Sequence, residues 1–353
     1  MGSTARRIIA FSLILAGADL IETHRADATS DVCDAGTVAA LQNSREPVPV
    51  GCSLTLSAAA VIRAPILLSG SQASGSIIDC RGGVINPGAT DEVALTIASV
   101  RRKDRQWDAP RRIVIRNCIL EGAIRVIGMG VNGEAEPVRQ SSLSPGHTER
   151  AQAAAPSDIL LTDLKVTTKS AIPLYAGPGT TKLTVSRSTF SGMSGSVGVY
   201  LDAESAENTI EDNHFDLTTK SREIIALDGS ARNTITENTF KNPVHGGVFL
   251  YRNCGEGGTI RHQAPQYNTI TRNVFHYRDQ SLISWWTAKP ALWLGSRQGN
   301  RSYCFHDAAR PFGSSLNARD EAQHNVVSDN WIDGGSPSLI VDDDTDNQIT
   351  GNR

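Results

Sequence analysis

"NTIEDNHF" occupies residues 208–215, and "NTITENTF" (233–240) repeats it 25 residues later. The string returns as "NTITRNVF" (268–275), "NVVSDNWI" (325–332) and "NQITGN" (347–352). Degenerate copies come earlier, at "IVIRNCIL" (113–120), "LLTDLKV" (160–166) and "LTVSRSTF" (183–190). Self-similarity at such a period marks a stack of short units, each able to bury its apolar face only against its neighbours. Between copies lies a second apolar strand, whose last apolar residue is Ile127, Leu174, Leu201, Leu227, Leu250, Leu294 and Val341 in turn. Such units build a solenoid of parallel strands about 4.8 Å apart. Asn213, Asn238, Asn273, Asn330 and Asn352 share one register. Asparagine tolerates left-handed backbone and can bond its neighbour in a ladder, so these positions are expected at sharp coil corners.

The N-x-I-x-x-N-x-F units resemble the repeats of the pectin-lyase-like superfamily, over roughly residues 75–353. The fold class expected is all-β: a right-handed parallel β-helix with an N-terminal cap and loop insertions on one edge. The resemblance implies three-stranded coils and, usually, the handling of an acidic polysaccharide. Pectate lyases, polygalacturonases, alginate lyases, epimerases and non-catalytic adhesins share that fold, so it does not choose among them.

Composition narrows the rest. With 353 residues, 39% of them hydrophobic, the chain can bury a large core. A net charge of −3 without a basic stripe argues against nucleic acid as a partner. Arg6 and Arg7 precede the apolar run "IIAFSLILAGA" (8–18), and "ADA" (26–28) supplies a small-x-small cleavage site. Residues 1–28 therefore read as a signal peptide, too short to span a bilayer, with a buried core helix as the alternative. The expectation is a secreted or periplasmic monomer, free of the membrane once processed. Residues 29–70 form the N-terminal cap, with helical spacing in "DAGTVAALQNS" (34–44), and 71–353 the β-helix.

Six cysteines suit an oxidising compartment. Cys33 and Cys52 flank the capping helix. Cys80 and Cys118 fall at matching registers of the first two clear coils, and Cys254 and Cys304 sit in insertions leaving neighbouring coils. The pairs expected are therefore Cys33–Cys52, Cys80–Cys118 and Cys254–Cys304. Metal binding is the alternative, but no Cys-x-x-Cys or clustered histidine accompanies them.

One corner of the coil takes nearly all the length variation. Leu201 to Asn208 takes 7 residues and Leu227 to Asn233 takes 6, whereas Leu250 to Asn268 takes 18 and Leu294 to Asn325 takes 31. After Ile127 a Gly-, Pro- and Ser-rich excursion runs to about 157. Three long loops leaving one edge suggest walls around a floor formed by the coils ending at Leu174, Leu201 and Leu227. Neutral insertion at a tolerant surface is the plainer reading.

Strand alternation turns Tyr200, Ala226, Phe249 and Trp293 outward, followed by Asp202, Asp228, Tyr251 and Gly295. Carboxylates beside aromatic rings suit a sugar. Asp202 and Asp228, about 5 Å apart, are the expected acid–base or nucleophile pair. Glu223 and Arg252 are further catalytic candidates, with Arg252 matched to a substrate carboxylate. Tyr200, Glu204, His245, Phe249, Tyr251, Trp293 and Arg297 are the expected substrate-binding residues. Each has an ordinary alternative: turn capping for the aspartates, cross-strand packing for the rings, surface ion pairs for the arginines. "REIIAL" followed by "HGGVFL" loosely resembles the acidic-pair strand and His-Gly of polygalacturonases, but the pair here is Arg222–Glu223 and the Asn-Thr-Asp element is absent. No cofactor is expected; "DDDTD" (342–346) has a composition that Ca²⁺ accepts, or is a solvated acidic turn. Two functions remain: a polysaccharide hydrolase or lyase, and a non-catalytic carbohydrate-binding or surface-structural solenoid.

Overall fold

The structure, a computed structural model, describes residues 31–88, 93–131, 135–277, 289–295 and 307–353. The signal segment 1–28, Arg297 and Cys304 lie outside the described residues. Within them, three parallel sheets of ten, ten and nine strands run the length of the chain, the right-handed parallel β-helix that the repeat predicts. One coil reads Val199–Leu201 in the first sheet, Thr209–Glu211 in the second, His214–Thr219 in the third, then Ile225–Asp228 back in the first. Each repeat string thus holds two strands bent at its second asparagine.

Stacking is in register. Leu201 pairs with Leu227 and Leu227 with Leu250, Ile210 with Ile235, and Phe215 with Phe240. The phenyl rings of Phe190, Phe215, Phe240 and Phe275 lie fully buried and nearly parallel, with centroids 5.1, 5.0 and 4.6 Å apart. Parallel strands fully buried on one face gain most of their stability from this apolar overlap.

The asparagine ladder exists, with a different backbone from the one expected. Asn213, Asn238, Asn273, Asn330 and Asn352 each accept the preceding ladder member's backbone N–H at 2.9–3.0 Å where one precedes. A second ladder, Asn208–Asn233–Asn268–Asn325–Asn347, runs parallel to it. The left-handed residue is not the asparagine but its predecessor: Asp212, Glu237, Arg272 and Asp329 have φ of 51°, 58°, 54° and 56°. A left-handed turn one residue earlier leaves the asparagine side chain aimed along the stack, where it satisfies buried N–H groups that the corner takes out of the strand ladder.

Register also corrects three strand ends. Val126 pairs with Ala176, and Ala176 with Leu201, so Ile127 and Leu174 are not the equivalents of Leu201. Val341 pairs with Trp293 and belongs to the outward row. The cap is shorter than expected as well. Helix α1 (Ala35–Asn43), capped by Asp34 accepting from the Thr37 amide at 2.6 Å, buries Leu41 over the open end of the core. Strands from Val48–Pro49 onward already belong to the sheets, because the first coil must supply the edge on which the second stacks.

Disulfides Cys33–Cys52 and Cys80–Cys118 form as expected. The first ties α1 to the first coil, which by loop-closure entropy stabilises the cap by about 3 kcal/mol.

Replacing Asn238 by Ala orphans the buried Asn213 amide and the Ile210 carbonyl it serves, at a cost of about 3 kcal/mol in urea unfolding. Glu237→Gly, one residue away, should be close to neutral, since glycine adopts φ near 58° without strain and the exposed Arg272 pair contributes little. Peptide mapping without reduction is expected to recover Cys254 linked to Cys304.

Candidate functional site

The corner that collects acids is not an open floor. Asp202 and Asp228 are 2% and 0% exposed, and Arg261, itself 3% exposed, lies against both. Its guanidinium is 3.6 Å from Asp202 and in direct contact with Asp228. The Tyr175 hydroxyl donates to Asp202 at 2.5 Å, and the Tyr200 hydroxyl donates to Asp228. Asn253 donates to Asp228 through its backbone amide at 2.7 Å and its side chain at 2.6 Å. Burial pushes the Asp202 carboxyl up against the pull of Arg261. Burial likewise opposes the charge on Arg261, but Asp228, Tyr200 and Asp202 outweigh it and hold the guanidinium above its ordinary value. Two carboxylates around one buried cation form a compensated network. The expected exposed acid pair is therefore corrected: Asp202 and Asp228 are enclosed beneath a loop that brings its own cation.

The three long loops do leave one edge, and they fold over it. Helices α2 (Glu136–Ser142) and α3 (His147–Ala154) come from the first loop. Glu204, fully buried, accepts from Thr148 on α3 and from the backbone amides of His262 and Gln263 at 2.6 and 3.1 Å. The Ile260 amide and His262 ring reach Ser142 at 2.9 and 2.7 Å, and Arg310 of the third loop meets His262 at 3.2 Å. Arg252 is 3% exposed and paired with Glu321 at 2.7 Å. Glu204 and Arg252, expected to touch a ligand, instead bind the loops to one another. The loop after Leu250 covers the floor of short corners because Arg261 and the His262 and Gln263 amides complement the acids there, and the described part of the loop after Leu294 joins it through Glu321 and Arg310.

An open cavity lies at the other edge of the same sheet, where its strands begin. It measures about 420 Å³ and is lined by Ser221, Arg222, Glu223, His245, Phe249, Tyr251, Lys289, Pro290, Trp293, Val341 and Asp343. The aromatic row sets its floor: Ala226, Phe249, Trp293 and Val341 are paired in register across neighbouring strands. Phe249 meets Trp293 edge to face at 5.5 Å, and Tyr251 packs over Ala226, whose small side chain leaves room for the ring. Gly246 and Gly247 are required here. With φ of 119°, Gly246 sits against the Phe249 ring, and a Cβ on Gly247 would strike the Ala291 carbonyl and Phe275.

Glu223, 2% exposed, accepts from the Tyr251 hydroxyl at 2.6 Å and from Arg222 at 3.0 and 3.1 Å. Arg222 also donates to the Tyr251 hydroxyl and stands 5.8 Å over its ring. Burial and the Glu223 charge hold the Tyr251 phenol well above its ordinary value, so it stays protonated at neutral pH. Burial works against Arg222, but Tyr251 and Glu223 raise it above the ordinary arginine value. Trp293 donates to Asp343 at 2.8 Å, and the His245 ring meets the Thr219 carbonyl at 2.7 Å.

Residues 111–276 match a family described as the right handed beta helix region. That match agrees with the fold, a right-handed parallel β-helix. No curated protein matches it. Among solved structures, the A-module of the mannuronan C-5 epimerase AlgE6 of Azotobacter vinelandii aligns at 10% identity over 92% of this chain and 97% of that chain, with a TM-score of 0.24. So low a score carries no argument about activity.

Of the expected site residues, the β-helix brings Glu223, His245, Phe249, Tyr251 and Trp293 to one cavity. Asp202, Asp228, Glu204 and Arg252 are placed under the loops, and Tyr200 bonds Asp228 from the sheet. Lys289 and Arg261 carry no signal in the sequence, and Asp343 belongs to the acidic "DDDTD" stretch rather than to the expected sugar-binding set. Arg261 lies in an insertion without periodicity, and Tyr175 was displaced by the misplaced register of Leu174. Among the described residues no group of three or more His, Cys, Asp or Glu is arranged to hold a metal. In "DDDTD", Asp342 accepts from Asn347 at 2.9 Å and Asp344 from the Ala322 amide at 3.0 Å.

The loop knot should be acid-sensitive. Burial, with His262, Arg150 and Arg310 nearby, pushes His147 down from 6.5 to about 3. A depressed value means that the unfolded chain takes the proton first. Stability is then lost as pH falls from about 6.5 toward 3, by up to about 1.4 kcal/mol per pH unit. Asp202 and Glu204 are raised and act in the opposite direction, so the comparison with His147→Gln isolates the histidine. Melting temperature should fall less steeply with acid in the variant than in the parent.

Proposed function

We propose that the protein is an exported polysaccharide-active enzyme, a hydrolase or lyase, whose site is the Glu223 cavity and whose substrate is an acidic polysaccharide. The observation that carries this reading is a nearly buried carboxylate bonded to a phenol beside an accessible Trp293–Phe249 platform. Aromatic faces take the apolar faces of sugar rings. Arg222 and Lys289 supply positive charge for a substrate carboxylate. Glu223 is the group for general acid–base work, and Tyr251, kept protonated, is its proton-donating neighbour. Two disulfides among the described residues fit an oxidising compartment, and no helix there is long and apolar enough to cross a membrane.

A second reading, binding without cleavage, is favoured by one observation: both Glu223 oxygens already hold Arg222, and one also holds Tyr251. Incubating the mature chain with acidic and neutral glycans, while following both reducing ends and ultraviolet-absorbing unsaturated ends, separates the two. On the enzymatic reading Glu223→Gln lowers turnover by about 100-fold or more with binding largely retained. Trp293→Ala should weaken binding about tenfold in either case. Turnover that survives Glu223→Gln would remove the catalytic assignment, and binding without any product would leave the second reading.

A further inference from the structure

A larger cavity of about 660 Å³ lies four coils earlier and at the opposite sheet edge, between α2, α3 and the antiparallel hairpin of Val100–Arg101 with Trp107–Asp108. Its floor is apolar: Trp107 packs on the Met129–Val138–Ala154 cluster. Its rim is cationic, with Arg101 and Arg105 both exposed and the Arg101 guanidinium 6.0 Å above the Trp107 ring. The acid in its lining is Glu136, whose oxygens are occupied by Arg139 at 2.9 and 2.7 Å and by Gln140 at 2.7 Å. Arg150 is turned to the Ser141, Ser144 and Pro145 carbonyls, and Asp108 faces Arg102 at 3.7 Å.

An apolar floor with an indole, an arginine rim and an acid already neutralised select a ligand that is flat on one face and anionic at its edge. The volume falls in the range of ligand sites, about 300–1,000 Å³. We propose that this cavity is a second binding site, for a uronate sugar laid against Trp107 with its carboxylate held by Arg101 and Arg105. Guanidinium pairs carboxylate bidentately, and an indole presents a broad apolar face to the ring carbons. The site stands apart from the Glu223 cavity and does not depend on the activity assigned there.

The test uses the mature chain carrying Trp293→Ala, which weakens the other site. Calorimetric titration with tetragalacturonate and tetramannuronate is compared with a neutral tetrasaccharide and with a short poly-glutamate peptide. One or both uronides should bind, the neutral sugar at least tenfold more weakly. Arg101→Ala with Arg105→Ala, and separately Trp107→Ala, should each cut uronide affinity about tenfold or more at unchanged melting temperature. Both variants alter exposed or half-buried positions, so folding should survive. Neutral sugar or poly-glutamate binding as tightly as the uronides would overturn the proposal, as would no uronide binding at millimolar concentration. Unchanged affinity in either folded variant would overturn it as well. Loss of binding only in the Trp293→Ala background, against the parent, would assign the uronide to the Glu223 cavity and also count against this site.

Discussion

A coil of this solenoid cannot bury itself. Three short strands enclose one layer of side chains, and only the coil above and the coil below exclude water from it. Everything else follows from that constraint. Leu, Ile and Phe must recur at fixed register, the corner amides must find acceptors along the stack axis, and the ends need separate treatment. The Phe190–Phe275 column and the two asparagine ladders are the apolar and polar halves of one solution. The helix α1, held by Cys33–Cys52, covers the end where no coil precedes.

Stacking also places like charges near one another. Asp202 and Asp228 stand one coil apart, and two such carboxylates repel unless something intervenes. Solvent and substrate are one answer, a buried cation is another. Here Arg261 arrives on the loop after Val248–Tyr251 and lies between them, with tyrosine hydroxyls and Asn253 occupying the remaining lone pairs. Removing one member of such a buried set typically costs 3–5 kcal/mol, which makes these positions as constrained as catalytic ones. Glu204 applies the same logic to the loops, trading burial for three donors.

The opposite sheet edge has different physics. No described loop folds over the starts of the Ile225–Asp228 and Val248–Tyr251 strands, so Phe249, Trp293 and Arg222 keep part of their surface accessible while Glu223 and Tyr251 sit at its base. Glu223 is thus buried beside a surface that stays accessible. Its arginine and phenol partners hold it in place.

The sequence by itself determined the stack: period, inward residues, the asparagine register, two of the disulfides, and the edge from which the long loops leave. These are local or nearest-neighbour properties, and a repeat prints them in every copy. Phe249, Tyr251 and Trp293 were legible for the same reason, since strand alternation turns them outward; Glu223 has the parity of the inward Ile225 and Leu227 and reaches the cavity from the corner before its strand. The backbone of the corners was less so, because Asn213 and Asp212 share the turn and only geometry shows which takes φ above zero. Whether a loop walls a floor or closes it was decided by tertiary structure alone. It depends on where Arg261, His262 and Arg310 land, and these lie in insertions that no repeat constrains. The same aspartates would face solvent if those loops stood upright; buried against Arg261, they hold the corner together.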